Sequence, residues 1–400
     1  MRRLLAAEAT SNFGSMLSRL AVPWVAALAL DATAMQMAWL VVADVAAGAA
    51  GSLVVGALVD RSSRRRVMVT TDLVRAALIG AIALLFLAGE LRFWMLALQA
   101  AANGVLAMAF SVARSAWIAD NVPDDALTTR NAQMSAAGSM SESAAFASGG
   151  WIYQLLGPLF ALLTDSVSFL VSALLLGRLP EVEGQPRKST PAGRGGKSAY
   201  MDGLRLVAAS GVLRTLAVSD VLLALNFSMT GALYMLFVSR DLAIATGMQG
   251  LIFATGAVGS LVGAWLAPAL GRLLGSQTSM SVGLLLGGFG AVLVPLAPDG
   301  GWWGIALLAG HQIVGDGGIV IAMIHGRTLR QRFAPRGARG KVDAGLRGIG
   351  QMATLVGALG GGWLATQADN RTVLWLAAML VLVCAPVVWL LFRRWGAEVP

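Results

Sequence analysis

The sequence predicts an all-α membrane protein whose twelve transmembrane helices form two six-helix pseudo-repeats. Three observations predict it. The 400 residues are 57% hydrophobic and only 13% charged, with a mean hydropathy of +0.71, whereas soluble domains carry about 25% charged residues. The basic residues punctuate long apolar runs and gather in alternate connections. The two halves of the chain also match each other at a fixed offset.

A bilayer-spanning helix needs about 20 apolar residues. Such runs occupy 4–28, 36–58, 67–88, 93–117, 131–156 and 159–178 in the first half. The first is interrupted by Glu8, Asn12 and Arg19, so it reads as a retained span and not as a signal peptide. The second and third flank Gly56–Arg66, which carries four arginines and one acid and therefore belongs to a loop outside the hydrocarbon. The fifth is rich in Ser, Gly and Ala between Ser135 and Ser148, a composition that lets helices approach closely.

Residues 179–205 hold Pro180, Pro186, Pro191 and five basic residues, and read as a flexible cytoplasmic linker between halves 1–178 and 206–400. Within it, Gly195-Gly196-Lys197-Ser198 ends like a phosphate-binding loop, but Pro191 stands where that loop needs glycine, which excludes an ATP site. The second half supplies spans at 212–237, 248–270, 279–297, 302–325, 342–365 and 372–392.

Basic residues orient the chain. With the N-terminus inside, twenty-three lysines and arginines fall in cytoplasmic segments, against Arg92, Arg240 and Arg371 outside. Cytoplasmic loops carry the excess of Lys and Arg, so both termini are expected in the cytoplasm of a cell-membrane protein. A shift of 212 residues places Pro123 on Pro335, Ala132 on Ala344, Gly138 on Gly350 and Gly149-Gly150-Trp151 on Gly361-Gly362-Trp363; a shift of 214 places Asn12-Phe13 on Asn226-Phe227. Two halves of equal topology joined on the cytoplasmic side fit a parallel repeat about the membrane normal.

Other classes are excluded by the same reading. The net charge of +9 follows from topology and does not point to nucleic acid. Cys384 lies in an apolar run, and His311 and His325 are too few and too isolated for a metal site. No nucleophile–base pair stands out, so neither an enzyme nor a cofactor is expected.

Across its whole length the chain resembles the major facilitator superfamily of transporters. The Gly-x-x-x-Asp-Arg-x-x-Arg-Arg pattern between spans two and three is matched by Gly56, Asp60, Arg61, Arg64 and Arg65, with Ser63 where the family usually has glycine. Ser11-Asn12-Phe13-Gly14, Leu20-Ala21-Val22-Pro23-Trp24, Asp72-Leu73-Val74-Arg75, Ala113-Arg114-Ser115-Ala116, Val122-Pro123, Asn131-Ala132, Asp165-Ser166-Val167-Ser168-Phe169 and Arg339-Gly340-Lys341-Val342 are similar to the macrolide-efflux and siderophore-exporter branch of the drug:proton antiporters. One departure is Gln99–Gly104, where many of these antiporters have an arginine before a Gln-Gly pair.

The resemblance implies secondary active transport by alternating access: proton-coupled efflux of a bulky organic compound such as a drug, antibiotic or siderophore, by a monomer in the lipid bilayer. An uptake permease and a non-transporting scaffold or receptor are the alternatives. It implies too that Gly56, Asp60, Arg61, Arg64 and Arg65 form a cytoplasmic gate, with Asp60 docking on a helix N-terminus. The counterpart around Gly263–Gly275 keeps only Arg272, so this latch is asymmetric.

A charge at mid-bilayer costs about 2.5–3.5 kcal/mol on insertion scales, so ionisable residues inside spans face an interior or a cavity. Arg19, Asp44, Glu142 and Asp316 fall well inside; Arg75, Arg114, Asp220 and Arg347 lie nearer the cytoplasmic ends, and Asp165 nearer the outer one. Glu142, Asp316 and Asp44 are the candidates for proton coupling. A static ion pair of Arg19 with Asp44 or Asp316 is the structural alternative. Asn12, Arg19, Trp24, Asn103, Asn226, Tyr234 and His311 are the candidates for a substrate cavity, with Asn12 and Asn226 taken as matched places in the two halves. Each asparagine equally suits a helix-to-helix hydrogen bond of about 0.6–2 kcal/mol.

Overall fold

A computed structural model describes residues 2–179, 196–335 and 337–395; side chains at 2, 3, 53, 54, 57, 60, 124–129, 131, 132 and 196–199 lie outside the described set. Every regular element is helical among the described residues. In order they are α1 (Arg2–Trp24), α2 (Ala34–Arg61), α3 (Arg64–Leu87), α4 (Phe93–Asn121), α5 (Asp124–Gly177), α6 (Gly196–Ala209), α7 (Gly211–Leu236), α8 (Thr246–Leu296), α9 (Trp302–Gly310), α10 (Asp316–Phe333), α11 (Arg339–Gln367) and α12 (Asn370–Trp395).

Local chemistry sets several boundaries. Thr33 accepts from Gln36 N at 3.2 Å while Gln36 accepts from Thr33 N at 2.8 Å, a capping box that starts α2. Ser63 and Ser210 cap α3 and α7 in the simpler one-sided way. α5 and α8 are each two spans folded at a glycine: Gly157 has φ +87° and Gly275 φ +76°, a region costly for residues with a Cβ. Pro158 follows Gly157 and, lacking an N–H, suits the first turn of the new helix.

Among the described residues, eight helices are long and apolar enough to cross a bilayer, α5 and α8 doubly so, with α9 and α10 forming one of them. The more polar α1 and α11 complete the twelve. Their outer faces are apolar: Trp265, Leu273 and Trp302 are 79–82% exposed. That inverted surface suits hydrocarbon as its solvent.

The chain divides into two compact units, Met1–Gly193 with Ala245–Leu251, and Arg194–Ile244 with Ile252–Pro400. In the first, α1 packs on α5, α2 on α4, and α3 on both α4 and α5. A Cβ at Gly104 on α4 would overlap the Asp44 carbonyl oxygen of α2, so only glycine permits that approach. In the second unit α7 packs on α11 and α12.

Residues 196–205, expected to be part of a flexible connection, are helical. α6 lies on α11 because Gly203 admits the Lys341 carbonyl, Tyr200 covers Gly348, and Val207 enters the apolar core with Leu213 and Val342. Lys341 Nζ also reaches Asp202 Oδ2 at 2.9 Å. The remaining linker residues, 180–195, lie outside the described set.

The repeat is visible in the backbone at the 212-residue offset. A π-helical turn at Val25–Ala29 extends α1, and one at Phe237–Asp241 extends α7. Asp31 (φ 55°) and Ala243 (φ 50°) follow in the left-handed region. Ala32 N donates to Ala26 O, and Ile244 N to Val238 O, the same six-residue-wide bond closing both helix ends. Register is therefore 212 throughout, and the 214-residue match of Asn12 with Asn226 is not structural. At the true offset Asn12 corresponds to Ala224.

Candidate functional site

In the first unit, α1, α3, α4 and α5 converge on buried charge. Glu8 on α1 pairs with Arg114 on α4, and the pair borders a cavity of about 620 Å³ together with Asn12, Ser115, Ser135 and Gly138. Further along, Ser11 Oγ donates to Asp72 Oδ1 at 3.2 Å, and Arg75 Nη1 lies 3.7 Å from the same oxygen. Ser18 donates to Asp165, which is fully buried. The Arg75 guanidinium sits 5.3 Å from the Phe169 ring centroid and 5.8 Å from that of Phe110, partly compensating its burial.

On α2, Asp44 accepts from Asn103 Nδ2 at 3.2 Å. The ion pair with Arg19 weighed from sequence does not form: Arg19 is exposed and acts on Asp44 only at longer range. Glu142 is half-buried on α5 without a polar partner among the described residues. Asn12 gives its amide to Gly138 O at 2.8 Å, joining α1 to α5 while still lining the cavity. Trp24 is fully buried; its Nε1 donates to Gln249 Oε1 at 2.8 Å and its ring lies tilted against that of Tyr153.

In the second unit, Arg330 on α10 bridges Asp220 on α7 (2.9 Å) and Asp343 on α11 (3.4 Å). Arg330 and Asp343 border two adjoining cavities of about 410 and 570 Å³, and Asp220 and Phe227 line the first. Deeper in the span, a π turn at His311–Gly315 joins α9 to α10; such turns are common at functional sites. His311 Nδ1 lies 2.9 Å from Gly290 O, and Tyr234 lies beside His311 and Phe253. The Tyr234 hydroxyl is buried with no hydrogen-bond partner among the described residues, and Asp316 is the carboxylate in its neighbourhood. Asn226 is buried and donates to Ala377 O at 2.8 Å, tying α7 to α12. Asn12 and Asn226 thus bind different neighbours.

At the loop singled out by the resemblance, Arg64 turns back to the Val59 carbonyl at the end of α2 and approaches Asp120 at 3.9 Å. Arg61 ends α2, Arg65 lies in the first turn of α3, and Gly56 faces open space. The Asp60 side chain lies outside the described residues.

Sequence reasoning passed over the main pairings. Glu8 and Asp220 are 212 residues apart, the offset already read from Gly138 and Gly350, and each meets an arginine of the fourth helix of its half. Asp44 and Gly104 correspond at the same offset to Gly256 and Asp316, the acid and the glycine having changed places. A Cβ at Gly256 would overlap the Asp316 carboxylate, so this acid too faces a glycine across the second and fourth helices. Testing every charged residue against the offset would have found both relations.

Comparison with known proteins agrees with this architecture. The model of the Major Facilitator Superfamily matches residues 4–342. No curated protein matches the chain. Among solved structures, the nucleoside transporter NupG is similar with a TM-score of 0.73 at 16% identity, covering 98% of this chain and 100% of that one. A bacterial homologue of iron transporter ferroportin in inward-facing state gives 0.73 at 19% identity, covering 99% of this chain and 98% of that one. A bacterial metal transporter gives 0.71 at 20%, covering 99% and 98%. At these identities the likeness is one of fold.

Proposed function

The chain belongs to the Major Facilitator Superfamily, and we propose that it is a proton-coupled exporter of a bulky organic compound, acting in the cell membrane with both termini cytoplasmic. One observation carries this reading: each half keeps a carboxylate well inside its spans, Asp44 on α2 and Asp316 on α10, at the same helix–helix contact. An ionisable group at that depth is costly and marks an ion or substrate path by default. Protonation neutralises either acid, so taking up and releasing a proton changes the charge at that contact and gives the transport cycle something to couple to.

The remaining candidates are assigned roles on this reading. Tyr234 lies beside His311 with Asp316 in its neighbourhood, and its hydroxyl, without a partner among the described residues, serves a substrate acceptor or donor. Asn103 holds the Asp44 carboxylate. Glu142 is a further proton carrier. Glu8, Asn12 and Arg114 border a cavity within the 300–1,000 Å³ that small-molecule sites occupy. Asp60, with Gly56, Arg61, Arg64 and Arg65, forms the gate: Asp60→Asn abolishes transport while expression and insertion stay normal, and a transporting variant would remove the gate.

The decisive experiment measures accumulation of a panel of drugs, antibiotics and siderophores in cells with and without the chain. Lowered accumulation that an uncoupler abolishes is the expected result. Raised accumulation would make the chain an uptake permease, and accumulation unaffected by expression for every compound would sink the transport reading.

A further inference from the structure

The cavity beside the first-helix carboxylate is duplicated in the two halves, but its charge is not. Of the nine residues lining the cavity of the first unit, eight have counterparts at the 212-residue offset that line the adjoining cavities of the second. Three of those positions are converted: Ser115, Ile118 and Ser135 become Arg327, Arg330 and Arg347. Arg339, in the first turn of α11, adds a fourth arginine to the same lining.

The charges do not cancel. Asp220 and Asp343 both serve Arg330. Arg327, Arg339 and Arg347 pair with no carboxylate among the described residues, and the Arg330 Nε is a buried donor without an acceptor among them. Arg339 also sits at a helix start, where a cation opposes the macrodipole. The N-cap of that helix, Ala338, offers no side-chain oxygen to its first N–H groups. Like charges lining one cavity beside uncapped N–H groups are unfavourable when empty and become favourable around an anion. Guanidinium forks match the paired oxygens of a phosphate.

We propose that this arginine-lined cavity of the second half binds a phosphate group, supplied by an anionic lipid headgroup or by a soluble phosphate ester, on the face that the basic residues assign to the cytoplasm. The site needs only residues of α7, α10 and α11 and does not depend on the direction, coupling or substrate of transport.

The test uses the purified full-length chain in detergent and reads its melting temperature. Glycerol 3-phosphate is the soluble probe; phosphatidylglycerol micelles are the lipid probe, with phosphatidylcholine as the zwitterionic control. A saturable rise in melting temperature is expected with one or both anionic probes. Response to phosphatidylglycerol alone assigns the lipid source, and response to glycerol 3-phosphate assigns the soluble one. Arg327→Gln and Arg347→Gln each weaken the response about tenfold, the loss of one charge-assisted hydrogen bond, without lowering the ligand-free melting temperature. Arg347→Lys keeps the charge and loses the fork, so it falls between. Arg393→Gln, whose guanidinium lies over Trp389 on α12, responds like the wild type. No response to either anionic probe, or an equal loss in Arg393→Gln, overturns the site.

Discussion

Asp44 and Gly104 face each other across α2 and α4, while Gly256 and Asp316 face each other across α8 and α10 with the acid on the opposite helix. Both halves thus keep one carboxylate at this contact although neither keeps it on the same helix. Elsewhere the halves diverge. The first encloses Asp72, Arg75 and Asp165; their counterparts in the second are Leu284, Gly287 and Ala377, and Asn226 binds the Ala377 carbonyl where the first half has a carboxylate. On the proposed mechanism the difference separates a shared acid, which serves the transport cycle, from the remaining charge, which is each half's own.

Substituting the two acids in turn gives the largest expected effect. Asp44→Asn and Asp316→Asn each abolish uncoupler-sensitive efflux; if only one does, the halves are not equivalent in coupling, and if neither does, both leave the mechanism. Next are the facing glycines. Gly104→Ala drives a methyl into the Asp44 backbone and destabilises by the roughly 1–3 kcal/mol of an overpacked core. Gly256→Ala meets only the mobile end of the Asp316 side chain, so melting is nearly unchanged while transport falls. Equal melting temperatures for the two variants would erase that distinction.

The first-helix carboxylates sharpen the comparison further. The Glu8 side chain is 9% exposed, against 32% for Asp220. Glu8→Ala, which strands Arg114 beside a buried site, costs about 1–3 kcal/mol; Asp220→Ala costs about 0–1 kcal/mol because solvent and Asp343 still serve Arg330. Chemical denaturation of the two variants reads the ranking. The smallest effect belongs to Asp202, on the exposed surface of α6, whose carboxyl is held below its ordinary value of 3.8 chiefly by the Lys341 hydrogen bond. A depressed carboxyl stabilises above that ordinary value and loses its contribution as pH falls through the folded value. Protease protection of α6 is therefore flat from neutral pH down to about 4 and declines only below it. Protection that changes between pH 6 and 8 would assign the docking to another group.

The spans were legible because apolar length and basic punctuation are properties of local sequence, and the breaks near 157–158 and 271–278 were marked by Gly157-Pro158 and by Gly271, Arg272 and Gly275. α6 was not, because prolines and glycines before residue 196 masked an amphipathic segment whose Gly203 and Val207 acquire meaning only against α11. Trp24 read as a cavity residue from its type and Asn226 from its apparent match with Asn12; their partners, Gln249 and Ala377, lie 225 and 151 residues away and no local pattern announces them. The exchange of Asp44 and Asp316 between helices escaped notice because an identity-based repeat search scores it as two mismatches.

The matched π turns mark equivalent places in the two halves. A π turn arises where one extra residue is accommodated inside a helix, and an alanine in the left-handed region costs roughly 1–2 kcal/mol. Val25–Ala29 with Asp31, and Phe237–Asp241 with Ala243, repeat that costly sequence of irregularities at one offset. Their recurrence at one register makes these two helix ends equivalent positions of the repeat. The π turn at His311–Gly315 has no partner in α4, which runs unbroken from Phe93 to Asn121. The second half therefore carries, on the helix that bears its acid, an irregularity that the first half lacks, and α10 starts directly from it at Asp316.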